Sequence, residues 1–87
     1  AHVIISGRVQ GVFFRMETKR AADVFGVFGW VKNRRDGTVE ALFEGDQERV
    51  EAVLAWCQEG PGHARVSDVK VDWQDYAGKF SAIDVTY

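Results

Sequence analysis

Over the first 25 residues the hydrophobic pattern changes its period across a nine-residue stretch, Gly7-Arg8-Val9-Gln10-Gly11-Val12-Phe13-Phe14-Arg15. Ahead of it, Val3-Ile4-Ile5 is a continuous apolar run that suits a central strand. Behind it, Phe14, Thr18, Ala21, Ala22 and Phe25 fall at i, i+4, i+7, i+8 and i+11, one stripe of a helix. Such a chain must turn from strand to helix within a few residues, and two glycines and an arginine occupy the turn. Backbone N–H groups of the loop and of the helix N-terminus then converge where the helix dipole is positive, which makes an anion site. Glycine allows the conformations that turn successive N–H groups inward. Arg15 adds a planar, two-pronged donor suited to phosphate. It does so against the dipole, which disfavours a cation at a helix start, and a local rule broken in this way marks a functional site.

The remaining elements follow from period and punctuation. Strand 1 is expected over about His2 to Arg8 and helix 1 over about Phe14 to Phe25, with Gly26 as its C-cap. Strand 2 covers about Gly29 to Asn33, and Asp36-Gly37 signals a short hairpin. Strand 3, about Thr38 to Glu44, sets Val39, Ala41 and Phe43 inward and Glu40, Leu42 and Glu44 outward. Asp46 is the expected N-cap of helix 2, whose buried stripe is Val50, Val53, Leu54 and Cys57 and which ends at Gly60-Pro61-Gly62. Strand 4 reads from about Asp68 to Gln74, with Val69, Val71 and Trp73 on one face. The last strand reads from about Phe80 to Tyr87, with a bulge near Ser81-Ala82 to restore its phase. The order is βαββαβ with a closing strand. That predicts an α+β, ferredoxin-like sandwich, a mostly antiparallel five-stranded sheet with two helices on one face.

The 87 residues make one small domain, residues 1–87, and 46% hydrophobic residues with a single proline describe a folded chain. One cysteine excludes an internal disulfide and favours a reducing compartment, hence a cytoplasmic location. No apolar run approaches a membrane span of about 18 residues. The net charge of −2 hides an asymmetry: residues 1–35 hold seven bases and two acids, net +5, and the rest hold four bases and eleven acids, net −7. A positive field around the glycine loop would draw in a small anion. A general nucleic-acid binder would be basic overall, and this chain is not.

Elimination narrows the chemistry. There is no P-loop signature for a nucleotide. A cysteine phosphatase needs its thiol a few residues before the phosphate-binding arginine, whereas Cys57 precedes Arg65 by eight and sits on an apolar helical stripe. His2 and His63 have no carboxylate paired with them by spacing, and no acidic cluster suggests magnesium. A site with donors but neither nucleophile nor metal can still hydrolyse a substrate that is already reactive. An acyl phosphate, a mixed anhydride with a carboxylate leaving group, asks only for charge stabilisation and an oriented water.

Gly7-x-Val9-Gln10-Gly11-Val12-x-Phe14-Arg15 resembles the phosphate-loop motif of the acylphosphatases, and Gly29-Trp30-Val31-Lys32-Asn33-x-x-x-Gly37-x-Val39, followed by Gly45, resembles their second motif. Together with the element order, the resemblance covers essentially the whole chain. It implies the acylphosphatase sandwich and hydrolysis of acyl phosphates to a carboxylate and inorganic phosphate, with no metal or other cofactor. Arg15 stands at the position of the family's phosphate-binding catalytic arginine and Asn33 at that of the asparagine that orients the attacking water. The loop residues Val9, Gln10, Gly11, Val12, Phe13 and Phe14 would give backbone N–H groups to the phosphate. Inorganic phosphate would be product and competitive inhibitor, and the chain would act as a monomer without nucleic-acid or membrane partners.

Trp30 and Phe28 are expected to pack, and Lys32, Arg34 and Arg35 to be solvated with at most a steering role. Two further functions fit the same element order. One is an anion-binding or carbamoyl-phosphate-handling domain of a larger protein, as in hydrogenase maturation factors. The other is single-stranded RNA binding, which would need aromatics in the middle of the outward faces of strands 1 and 3, where this chain has Ile4, Ser6, Glu40, Leu42 and Glu44.

Overall fold

The computed structural model describes residues 1–10, 14–60, 64–74 and 83–86. Its elements are β1 (His2–Arg8), α1 (Phe14–Phe25), β2 (Phe28–Asn33), β3 (Val39–Glu44), α2 (Gln47–Glu59), β4 (Arg65–Asp72) and β5 (Ile83–Thr86). The five strands form one sheet in the order β4-β1-β3-β2-β5. Four strands pair antiparallel, and β5 lies parallel to β2.

The apolar run of β1 lies between β4 and β3, as a central strand should. Val3 and Ile5 are fully buried under the helices, with Val31, Val39, Ala41, Phe43 and Ile83 from the other strands. Both helices contribute the stripes read from sequence: Phe14, Thr18, Ala21 and Ala22 from α1, and Val50, Val53, Leu54 and Cys57 from α2. Phe25, the last residue of the α1 stripe, is instead exposed. Thr18 can be buried because its hydroxyl donates to the Phe14 carbonyl at 2.7 Å.

The helix ends differ in how they are closed. At the C-terminus of α1, Gly26 N–H donates to the Asp23 carbonyl (3.3 Å) and Val27 N–H to the Ala22 carbonyl (2.9 Å), the paired bonds of a Schellman motif, with Val27 and Ala22 both buried. Asp46 occupies the N-cap of α2 and its carbonyl accepts from Val50 N–H (3.0 Å), but its side chain makes no capping bond. The carboxylate lies 3.7 Å from Arg49 Nε instead, so a neighbouring cation has outcompeted the helix N–H groups for it.

Three expectations about the strands are corrected. β4 begins at Arg65 and ends at Asp72, starting three residues and ending two residues earlier than the alternation of Val69, Val71 and Trp73 implied. The cause is a bulge: Ser6 faces Asp68 but Gly7 faces Val66, so Ser67 is an extra residue and Val66 and Val69 both reach the core. Glu44 is buried rather than outward, at the end of β3 where Phe43 N–H donates to the Ala1 carbonyl (2.9 Å) and the ladder continues past β1. Phe28 is exposed rather than packed, as the first residue of β2. The expected bulge at Ser81-Ala82 lies outside the described residues, as do Phe80 and Tyr87.

Candidate active site

The topology brings five chain segments to one end of the sheet. β1 runs toward this end and hands over to α1, so Arg8, Val9, Gln10, Phe14 and Arg15 all lie there. β2 runs parallel to β1 and finishes at Asn33, β3 starts back from Val39, and β4 starts at Arg65. Arg15 and Asn33, eighteen residues apart in sequence, are thereby placed at the same end.

The start of α1 is fixed by Phe14, which is 1% exposed and stacks at a tilt on Trp56 of α2, ring centroids 5.7 Å apart. Arg15 follows it, half-buried, in the first turn of the helix. Asn33 falls in phase with the buried Gly29 and Val31, on the face of β2 that α1 covers. Its side-chain oxygen Oδ1 is buried and has no hydrogen-bond partner among the described residues. A buried, unsatisfied carbonyl costs about 1–3 kcal/mol, so its retention asks for an explanation other than stability.

Of the loop residues, Val9 is buried in the core and Gln10 is half-buried, while Gly11, Val12 and Phe13 lie outside the described residues. Gln10 carries a role that the sequence did not reveal. Its amide Nε2 donates to the Arg34 carbonyl (2.7 Å) and to the Thr38 carbonyl (2.9 Å), one bond from each N–H. One side chain therefore ties the loop to the turn that follows Asn33. A glutamine inside a motif of apolar and glycine residues was the available signal; the carbonyls it reaches are 24 and 28 residues away. The turn is itself braced, with Asp36 Oδ1 accepting from Thr38 N–H (3.0 Å) and from its hydroxyl (2.6 Å).

Gly7 turns out to serve packing rather than the loop. It lies within β1 at φ +122°, and a Cβ there would sit 2.0 Å from the Arg65 carbonyl oxygen. Its lack of a side chain lets β4 approach at the Ser67 bulge. Gly29 of the second motif plays the same part, since a Cβ there would meet the Leu42 carbonyl oxygen at 1.8 Å.

The other titratable candidates lie elsewhere. Cys57 is fully buried, and burial pushes its thiol up to about 12, so it is no nucleophile near neutrality. His2, read as lacking a carboxylate, has one: its Nε2 lies 2.6 Å from Glu40 Oε2, brought across by the β1–β3 register from 38 residues away. Glu40 also takes Lys32 Nζ at 3.4 Å, and Lys32 stands 5.3 Å from the centre of the Trp30 ring. This cluster lies on the sheet face opposite the helices, so Lys32 is paired rather than simply solvated. The same face is the one an RNA-binding sheet would use, and Glu40 stands in its middle.

A family model for acylphosphatase matches residues 1–85. The chain belongs to the acylphosphatase family. It is 55% identical over 87 residues to the acylphosphatase of Pelotomaculum thermopropionicum, covering 100% of this chain and 95% of that one. Among solved structures it resembles the acylphosphatase of Bacillus subtilis with a TM-score of 0.95 and 34% identity, over 99% of this chain and 96% of that chain. It also resembles part of T. kodakarensis HypF, with a TM-score of 0.85 and 29% identity, over 99% of this chain but 11% of that one. Family membership makes the chain a hydrolase of acyl phosphates, and the five-stranded sheet with two helices is the acylphosphatase fold.

Proposed function

We propose that this acylphosphatase-family chain hydrolyses acyl phosphates without a metal ion, by electrostatic stabilisation and water positioning alone. The backbone N–H groups from Val9 to Phe14 and the Arg15 guanidinium hold the phosphoryl oxygens, and Asn33 Oδ1 accepts a hydrogen bond from the attacking water. The water oxygen bonds to phosphorus as the bond from phosphorus to the acyl oxygen breaks. The carboxylate leaves with the bonding pair, and the water's protons end on phosphate and solvent. Because the carboxylate is a good leaving group, no general acid is required, and charge neutralisation around the three equatorial oxygens carries the rate.

The observation that supports this reading most is the buried Oδ1 of Asn33, without a hydrogen-bond partner among the described residues, at the end of the sheet that also holds Arg15. An acceptor that protein groups leave unsatisfied can hold a substrate water at a fixed point. Hydrolysis of benzoyl phosphate should therefore be unaffected by excess EDTA and competitively inhibited by inorganic phosphate. Loss of activity on EDTA treatment, restored by a divalent cation, would sink the metal-free mechanism.

The likeness to a segment of HypF supports a second reading, a carbamoyl-phosphate-handling or purely anion-binding domain. Tight phosphate binding with no turnover of benzoyl, acetyl or carbamoyl phosphate would favour a purely anion-binding role. Turnover of carbamoyl phosphate alone would favour the carbamoyl-phosphate role.

A further inference from the structure

The side chain of Gln10 enters a turn that already closes on itself. Arg34 N–H donates to the Thr38 carbonyl (2.8 Å) and Gly37 N–H to the Arg34 carbonyl (3.3 Å). Gln10 Nε2 donates to those same two carbonyls, at 2.9 and 2.7 Å, so each oxygen accepts twice and both of its lone pairs are used. Flipping the carboxamide would turn its own oxygen onto two carbonyl oxygens, so the turn itself settles the orientation. Opening the turn moves both carbonyls and breaks both bonds to Gln10.

Covalent connection carries this to both halves of the site. Gln10 follows Val9, which is buried in the core, and its own backbone N–H is one of the proposed phosphate donors. Arg34 is bonded directly to Asn33, whose Oδ1 is buried without a partner among the described residues. A phosphoryl group that holds the loop backbone therefore also holds the side chain that closes the turn, and a closed turn in return holds the loop. On the phosphoryl-site reading given above, we propose that Gln10 is a positioning residue that makes phosphoryl binding and closure of the 34–38 turn one linked equilibrium, so that an occupied loop also steadies the strand end carrying Asn33. Without Gln10 the turn keeps its own bonds, including those from Thr38 to Asp36. The linkage is thus expressed in binding and in opening of the turn rather than in kcat. Its size is the same in both directions: the factor by which the Gln10 bonds tighten phosphate is the factor by which phosphate slows opening of the turn.

The test uses inorganic phosphate as the probe, with titration calorimetry for affinity and amide hydrogen exchange for the turn. In the wild type, saturating phosphate should slow exchange at the Arg34 and Gly37 N–H groups about fivefold. Gln10→Met keeps the length of the side chain and removes both donors. It should weaken phosphate by the same factor, about fivefold, raise KM for benzoyl phosphate several-fold, and abolish the effect of phosphate on exchange. Thr38→Val works from the far side of the turn, by removing the hydroxyl bond to Asp36 (2.6 Å). It should weaken phosphate about twofold in the wild type and not at all in the Gln10→Met background. A purely structural brace gives a different pattern: exchange in Gln10→Met faster by one factor with and without phosphate, and affinity unchanged. That pattern, additive effects of the two substitutions on affinity, or phosphate binding to the wild type with no change in exchange would each overturn the linkage and leave the hydrolase reading in place. A wild type that binds no phosphate would overturn both.

Discussion

Arg15 stands in the first turn of a helix, where the backbone dipole already supplies positive potential. Its place makes sense if an anion of higher charge sits there, because loop N–H groups, dipole and guanidinium then act on one point. Arg15→Lys keeps the charge and loses the bidentate geometry. On the proposed mechanism it should lower kcat by about 10²–10³-fold in a benzoyl phosphate assay. Asn33 offers a sharper distinction, because its Oδ1, without a partner among the described residues, is a stability cost as well as the proposed holder of the attacking water. Asn33→Ala should reduce kcat by about 10²-fold while the inhibition constant for phosphate moves less than about twofold. Its midpoint in urea should stay level or rise, since a buried orphan acceptor is gone. A variant that lost activity and stability together would show that Asn33 holds the fold rather than the water.

The segments around the site were unevenly legible. β1 could be read from its continuous apolar run, and α1 as far as Ala22 and the stripe of α2 from their helical period, because local patterns are what those elements obey. β4 was misplaced because Ser67 breaks its alternation, and a bulge is visible only once Gly7 and Arg65 are known to be neighbours. The parallel pairing of β5 with β2 has no local signature at all, since the choice of partner is made by the sheet. Arg15 and Asn33 were singled out through their two motifs, and the fold brings both to one end of the sheet. The Gln10 staple was not, because its acceptors are the carbonyls of Arg34 and Thr38, brought near only by the finished hairpin. Gln10→Ala should therefore cost about 1–2 kcal/mol in urea unfolding. It should also raise KM several-fold with kcat largely kept, because the loop loses its anchor while its own N–H groups remain. Gly7→Ala should cost more, about 2–3 kcal/mol, through the clash with the Arg65 carbonyl. An alanine variant melting within a few degrees of the wild type would mean that β4 can shift to accommodate it.

Taken as one body, the molecule separates its charges by function. The loop end carries Arg8, Arg15, Arg34, Arg35 and Arg65, in a chain whose net charge is −2. On the sheet face away from the helices, His2 of β1, Lys32 of β2 and Glu40 of β3 bind three strands together. There the hydrogen bond to His2 first, and Lys32 second, hold the Glu40 carboxyl below its ordinary value of 4.5. A carboxyl depressed by folding adds stability above its unfolded value, and that stability is lost as the pH falls through the folded one. Glu40→Gln should thus be less stable than the wild type near neutrality, with the gap narrowing as the pH drops below 4.5. Asp36, also held low by its hydrogen bonds from Thr38, titrates in both proteins and cancels from the difference. Urea unfolding of the pair at half-unit steps from pH 6 to pH 3 would measure it, with activity at pH 6 expected unchanged because the cluster lies across the sheet from Arg15 and Asn33. A gap that stayed constant down to pH 3 would assign the stabilisation to packing of the side chain rather than to its charge.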